Sequence, residues 1–236
     1  GYIVLCLLLV FGGSFLANHQ VPEASAYTPP DRSAEYAALS ELGAPEAVLD
    51  LLTEEQLEML QETDSVGSDV QKGWLQPGPF AVNRFMTWTN VVLWQPDGSA
   101  YVAMVYQWTQ GDSYWNDGFL VYGVEGMHLV DGKLFWTQDG KCMESSIPRL
   151  RSEWITIGSF MGSDSYEAIL GSAVYPLGAE KQGGLVLYQW IPNEPKDFTS
   201  VFIFNHHIGP VRLPYQHPED ELLTGGGNVI HAYAVL

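Results

Sequence analysis

Apolar and polar positions alternate most regularly over residues 80–109, where two β-forming runs flank the turn Gln95-Pro96-Asp97-Gly98-Ser99. A period of two sends successive side chains to opposite faces of a strand. In the first run Phe80, Val82, Met86, Trp88, Val92 and Trp94 share one parity; in the second Ala100, Val102, Met104, Tyr106 and Trp108 do so. Between the runs, proline presets φ at the first central turn position, Asp97 is able to bond its own backbone, and Gly98 supplies the positive φ that reverses the chain. The pattern predicts a β-hairpin with those residues facing one core. Val91, Leu93, Ala103 and Val105 are apolar on the opposite parity, which predicts a strand pair covered on both faces.

Turn signals recur at short intervals beyond this hairpin, and helical periodicity is absent. Asp131-Gly132 is expected to separate strands 127–130 and 133–136, with Asp139-Gly140 closing the next hairpin. Runs 153–160, 166–175, 185–191 and 198–208 read as further strands. Lys181-Gln182-Gly183-Gly184 and Pro192-Asn193-Glu194-Pro195 read as turns between them, because proline bars continuation of a ladder. Pro210, Pro214 and Pro218 mark an extended loop, and Gly225-Gly226-Gly227 precedes a last run, 228–236. The expected fold class is mainly β: an antiparallel β-sandwich, jelly-roll-like or meander, over residues 74–236.

The pattern differs upstream. Residues 2–16 are almost wholly apolar, broken by Gly12, Gly13 and Ser14, before the polar Asn18-His19-Gln20. Residues 1–26 are therefore expected to be a signal peptide, with a small-residue site at Ala24-Ser25-Ala26, or an N-terminal apolar helix that anchors the chain through residues 1–17. Position 1 is glycine and no basic residue precedes the apolar run, so a positively charged start is expected ahead of it. Residues 27–69 hold eleven acids and one basic residue, Arg32, and read as short acidic helices. The first covers 32–42, with Tyr36, Leu39 and Leu42 on a stripe ending at Gly43. The second opens at Pro45 and carries Ala47, Val48, Leu51 and Leu52. Thr53 and Gln56 form a capping-box pattern for the third, 54–61, with Leu57 and Leu60 on one face. Narrow stripes suit packing through one edge only. Residues 27–73 are thus read as an acidic helical linker whose helices pack on the β domain or on a partner through that edge, or form a solvated spacer lifting the domain off a membrane, the preferred reading, with 63–73 polar and flexible.

Composition limits the partners. Ten Lys and Arg against 28 Asp and Glu give a net charge of −18, which leaves no basic patch for phosphates, so nucleic acid is not an expected partner. An apolar content of 46% argues for a packed core rather than disorder. Cys6 and Cys142 are not expected to pair, and Cys142 reads as a small buried hydrophobe.

Catalytic motifs are absent: no G-x-S-x-G, H-E-x-x-H, C-x-x-C, P-loop or dinucleotide glycine pattern occurs. His206 and His207 are adjacent, so on a strand only one of them can join His217 or His231, and neither a metal site nor a cofactor is expected. Asp112, Asp117, Glu125, Glu144, Glu153, Glu167 and Glu194 are the acids from which a glycosidase pair would be drawn. Trp88, Trp94, Trp108, Trp136, Trp154 and Trp190 fall within strand patterns and are expected in the core. Only Tyr114 and Trp115 lie in an expected loop, 111–118, together with Asp112, Asn116 and Asp117. Two aromatics, two carboxylates and an amide between glycines make these five the candidate ligand-binding residues, for a sugar more than for calcium, whose ligand spacing is missed.

The functional expectation is a non-enzymatic binding or interaction domain of the cell envelope, secreted or anchored at the outer face of the cytoplasmic membrane, with a glycan or protein as its ligand. The alternatives are an exported carboxylate-dependent glycan hydrolase and a scaffold domain of an envelope assembly.

Overall fold

The computed structural model describes residues 23–75, 84–108, 116–122, 125–148, 150–159, 162–176, 178–193, 198–207 and 233–235. The apolar segment 2–16 and the Pro- and Gly-rich stretch 210–227 lie outside them. Among the described residues no helix is long and apolar enough to cross a membrane.

The chain is mainly β, and the described residues hold three short helices. After the two-residue strand β1 (Ser25–Ala26) come α1 (Ala34–Glu41), α2 (Glu46–Leu49) and α3 (Glu54–Met59). Eleven strands follow: β2 (Ser65–Leu75), β3 (Arg84–Trp94), β4 (Ala100–Trp108), β5 (Asn116–Tyr122), β6 (Met127–Gln138), β7 (Lys141–Ser146), β8 (Arg151–Ser159), β9 (Gly162–Val174), β10 (Glu180–Trp190), β11 (Thr199–His207) and β12 (Tyr233–Val235). They form a seven-stranded sheet, β1-β7-β6-β10-β4-β3-β2, and a five-stranded sheet, β12-β11-β5-β9-β8, with antiparallel pairing throughout. The large sheet is not a simple meander, because β10 inserts between β4 and β6.

The hairpin that dominates the sequence pattern is β3–β4, in register from Met86↔Trp108 to Trp94↔Ala100. Its turn closes as the residue types require. The Gln95 amide donates to Ser99 O at 2.8 Å, the Gly98 amide to Gln95 O at 3.0 Å, and Asp97 Oδ1 accepts from the Ser99 amide at 2.9 Å. Gly98 has φ +84° and open space around it. Gly98→Ala therefore meets backbone strain but no clash, and is expected to cost about 1 kcal/mol. An unchanged chemical-denaturation midpoint would contradict this.

The two parities of the hairpin enter two cores. Trp88, Val92, Ala100, Val102, Met104, Tyr106 and Trp108 join Trp136, Val186, Tyr188 and Trp190 of the large sheet and Val121 and Ile169 of the small one. Val91, Leu93, Ala103 and Val105 join Phe135, Leu185 and Leu187 beneath the helices.

Of the two expectations for those helices, packing on the β domain holds and the solvated spacer does not. Tyr36, Leu39, Ala44, Val48, Leu49, Leu52, Leu57 and Leu60 are all buried in this second core, while Leu42 is exposed. Local signals set their limits. Ser33 Oγ accepts from the Tyr36 amide at 3.3 Å to start α1, and Gly43, at φ +99°, follows its end. At α3, Thr53 Oγ1 accepts from the Gln56 amide at 3.1 Å and Gln56 Oε1 from the Thr53 amide at 3.0 Å, the reciprocal capping box. Gln56 is buried, and its Nε2 donates to Asp131 Oδ2 at 2.8 Å, tying α3 to β6. The expected flexible stretch 63–73 is also corrected: Ser65–Leu75 pairs with β3 over eleven residues, so a boundary between residues 73 and 74 falls inside β2.

Two expected turns are strand. Asp131-Gly132 continues β6, pairing with Leu187 and Val186 of β10. Gly132 is needed there for space, since a Cβ would stand 2.3 Å from Leu150 Cδ2. Lys181-Gln182-Gly183-Gly184 belongs to β10, where a bulge between Lys181 and Gly183 absorbs the irregularity. Asp139-Gly140 does turn the chain, with φ +51° and +72°, as a two-residue hairpin loop demands. Trp154 is corrected as well: it lies on strand β8 but is 63% exposed.

Candidate functional site

Asp112, Tyr114 and Trp115 lie outside the described residues. Asn116 and Asp117 open strand β5 instead of sitting in a loop, opposite His207 and His206 of β11 and Val174 and Ala173 of β9. β4 and β5 belong to different sheets. His217 and His231 lie outside the described residues. Among the described residues no group of three or more His, Cys, Asp or Glu is placed to hold a metal ion.

Several acids considered for a catalytic pair have structural partners. Glu144 accepts from Lys133 Nζ at 3.3 Å and Glu153 from Arg151 Nε at 2.8 Å. Glu167 Oε2 accepts from the Gly126 and Met127 amides at 2.6 and 3.0 Å, holding the chain where it enters β6. Asp112 and Glu194 lie outside the described residues.

What the structure does form is a cleft of about 390 Å³ on the helix-covered face of the large sheet. Its origin can be followed row by row across the strands. Val91, Ala103 and Leu187 stand in register and are buried under the helices. Two rows further from the hairpin turn, the same face carries Thr87, Gln107, Gly183 and Phe135 in register across β3, β4, β10 and β6. Thr87 and Gln107 bring neutral polar groups into this row beside Phe135, and the row lines the cleft with Thr137, Gln182, Cys142, Tyr27 and Leu51.

The floor is the Gly183-Gly184 backbone. Gly183 has φ +155°, and a Cβ on it would stand 2.1 Å from Tyr106 O. A Cβ on Gly184 would stand 2.6 Å from the Tyr106 ring, which lies against the glycine on the opposite face. Tyr175 locks the bulge by donating to Gly183 O at 3.1 Å. Lys181, fully buried next to the bulge, places Nζ 5.2 Å from the Tyr175 ring centroid and 5.6 Å from that of Trp108.

Tyr27 forms one wall, edge-to-face with Phe135 at 5.5 Å between centroids. Its hydroxyl donates to Asp50 O, and Tyr36 donates to Asp50 Oδ1 at 2.7 Å. Burial, reinforced by Asp50, pushes each phenol up to about 12 from 10.0. A phenol whose proton is held more tightly when folded adds stability that is fully present below pH 10 and is lost as pH rises from 10 to 12. We expect Tyr36→Phe to remove part of that alkaline loss, read as a smaller fall in urea midpoint across this range than in the parent. Equal falls would contradict the assignment.

Cys142 was expected to be buried; it is a free, exposed thiol at the cleft. Cys142 stands opposite Thr137 on the sheet face where the cleft opens, one position from the hairpin end at Lys141. Partial burial of the sulfur, with Glu144 nearby, pushes its pKa up, so at neutral pH it is a thiol rather than a nucleophilic thiolate. Among the described lining residues there is no carboxylate, histidine, lysine or arginine. The arrangement offers hydroxyl, amide and aromatic contacts. Sequence reading missed it because Lys181-Gln182-Gly183-Gly184 resembled a turn; the available signal was Thr87 and Gln107 interrupting an apolar parity. No protein-family model matches the chain, and no curated protein matches its sequence.

Proposed function

We propose that this protein is a non-enzymatic binding domain of the cell envelope, and that the cleft over Gly183-Gly184 is its ligand site. The observation that carries this reading is the lining itself: a concave surface within the usual size of ligand sites, supplied with neutral hydrogen-bonding groups and aromatic walls. The structural contacts of Glu144, Glu153 and Glu167 favour binding over carboxylate-dependent hydrolysis. On the same reading the two sheets form a β-sandwich, an arrangement supported by the core that Val121 and Ile169 share with the large sheet. Export rests on the apolar residues 2–16, acting as a cleaved signal or as an anchor through residues 1–17.

Ligand-observed NMR with a chemically mixed fragment library tests the site. The parent should bind fragments that Gln107→Trp, which fills the cleft from an exposed position, no longer binds, and should leave them chemically unchanged. Conversion of a bound fragment, or binding indifferent to the filled cleft, overturns the reading. Fractionation of the full-length product tests export, and recovery of an unprocessed, soluble cytosolic protein refutes it.

A further inference from the structure

We infer that the cleft takes an uncharged, hydroxyl-rich ligand, an oligosaccharide without ionised groups; this rests on the cleft being the ligand site. Thr87, Thr137, Gln107 and Gln182 each both donate and accept hydrogen bonds, as sugar hydroxyls do. Gln182 Nε2 already donates to Thr137 Oγ1 at 3.2 Å, so two of the four are linked in a common network.

Charge selects the class further. An anion would approach a chain of net charge −18 and find no basic side chain among the described lining residues. A cation would be drawn by the overall charge, yet no carboxylate is among the described lining residues. The two whose charge reaches the cleft are engaged elsewhere, Glu144 with Lys133 Nζ at 3.3 Å and Asp50 with the Tyr36 hydroxyl at 2.7 Å, so leaving water is costly. The Tyr27 phenol and Cys142 thiol hold their protons more tightly than usual, so the lining stays neutral through the physiological range. Tyr27 and Phe135 provide an apolar wall for the C–H face of a sugar ring. Gly183 and Gly184 line the cleft as well, so a bound ring meets main chain beside the polar side chains.

Cys142, exposed at the cleft, provides the readout. In the full chain carrying Cys6→Ser, the rate of Cys142 alkylation by N-ethylmaleimide is measured with cellohexaose, chitohexaose and xylohexaose, with anionic oligogalacturonate, and with aromatic amides lacking hydroxyls. At least one neutral oligosaccharide should slow alkylation tenfold or more, and Gln107→Ala should weaken that protection at least tenfold at an unchanged melting temperature. Oligogalacturonate should not protect. Protection only by the anion or by the amides overturns the ligand class while the site stands; protection by none of the three classes overturns both.

Discussion

Leu60→Ala is expected to destabilise the protein by roughly 2 to 5 kcal/mol, the range for deleting a fully buried leucine side chain where its surroundings collapse only partly. Leu60 follows α3 as its C-cap and is wholly buried, in one core with Leu57, Leu49 and the sheet residues Val91, Leu93, Val105 and Leu187. Were the acidic helices a spacer, the same change would lie within about 0.5 kcal/mol of the parent. Urea denaturation decides, provided that the slope is unchanged so that the midpoint shift reports stability. Leu42→Ala is the control: Leu42 follows α1 in the same helical layer but is 40% exposed, and its substitution should fall within the smaller figure. A Leu60→Ala midpoint equal to that of Leu42→Ala would show that the helices are not docked on the sheet.

The second large effect is expected at Gly183. Gly183→Ala should cost about 3 kcal/mol or more, combining a strained dihedral with a displaced neighbour. Gly183 and Gly98 both have positive φ, and their surroundings separate them. Around Gly98 nothing lies within 4 Å, whereas a Cβ on Gly183 would stand 2.1 Å from Tyr106 O and 3.0 Å from Gln107 Cα. Those are backbone atoms of β4, held by eight residue pairs to β10, so relief requires moving a central strand. Moving it also disturbs the Tyr175 bond to Gly183 O and the cleft floor. The melting temperature of Gly183→Ala should therefore fall well below that of Gly98→Ala. Equal losses would mean that the bulge has room for a methyl group.

Much of the fold is legible because its causes are local. The Pro-Asp-Gly turn, the two-parity hairpin, the Asp139-Gly140 turn and the Thr53–Gln56 capping box each arise from residues a few positions apart, and each forms as the pattern predicts. Apolar residues on both parities of β3 and β4 also announce two coverings. The misread elements share another origin. Asp131-Gly132 and Gln182-Gly183-Gly184 have turn-forming composition, but β10 pairs with both β6 and β4 and draws them into ladders. At Gly132 and Gly184 the missing Cβ provides room for Leu150 and for the Tyr106 ring, a need set by neighbours far along the chain.

The sequence by itself determined the β class, the central hairpin and its turn, the helix starts and an acidic surface, because these depend on period, turn chemistry and charge counted along the chain. Only the tertiary structure decided that the acidic helices cover the large sheet, that Ser65–Leu75 is a paired strand, that Cys142 is exposed, and that a neutral cleft opens beyond the helices. The physical reason is register. Thr87, Gln107, Gly183 and Phe135 come from four separate strands, and only hydrogen-bonded pairing across β3, β4, β10 and β6 sets them in one row.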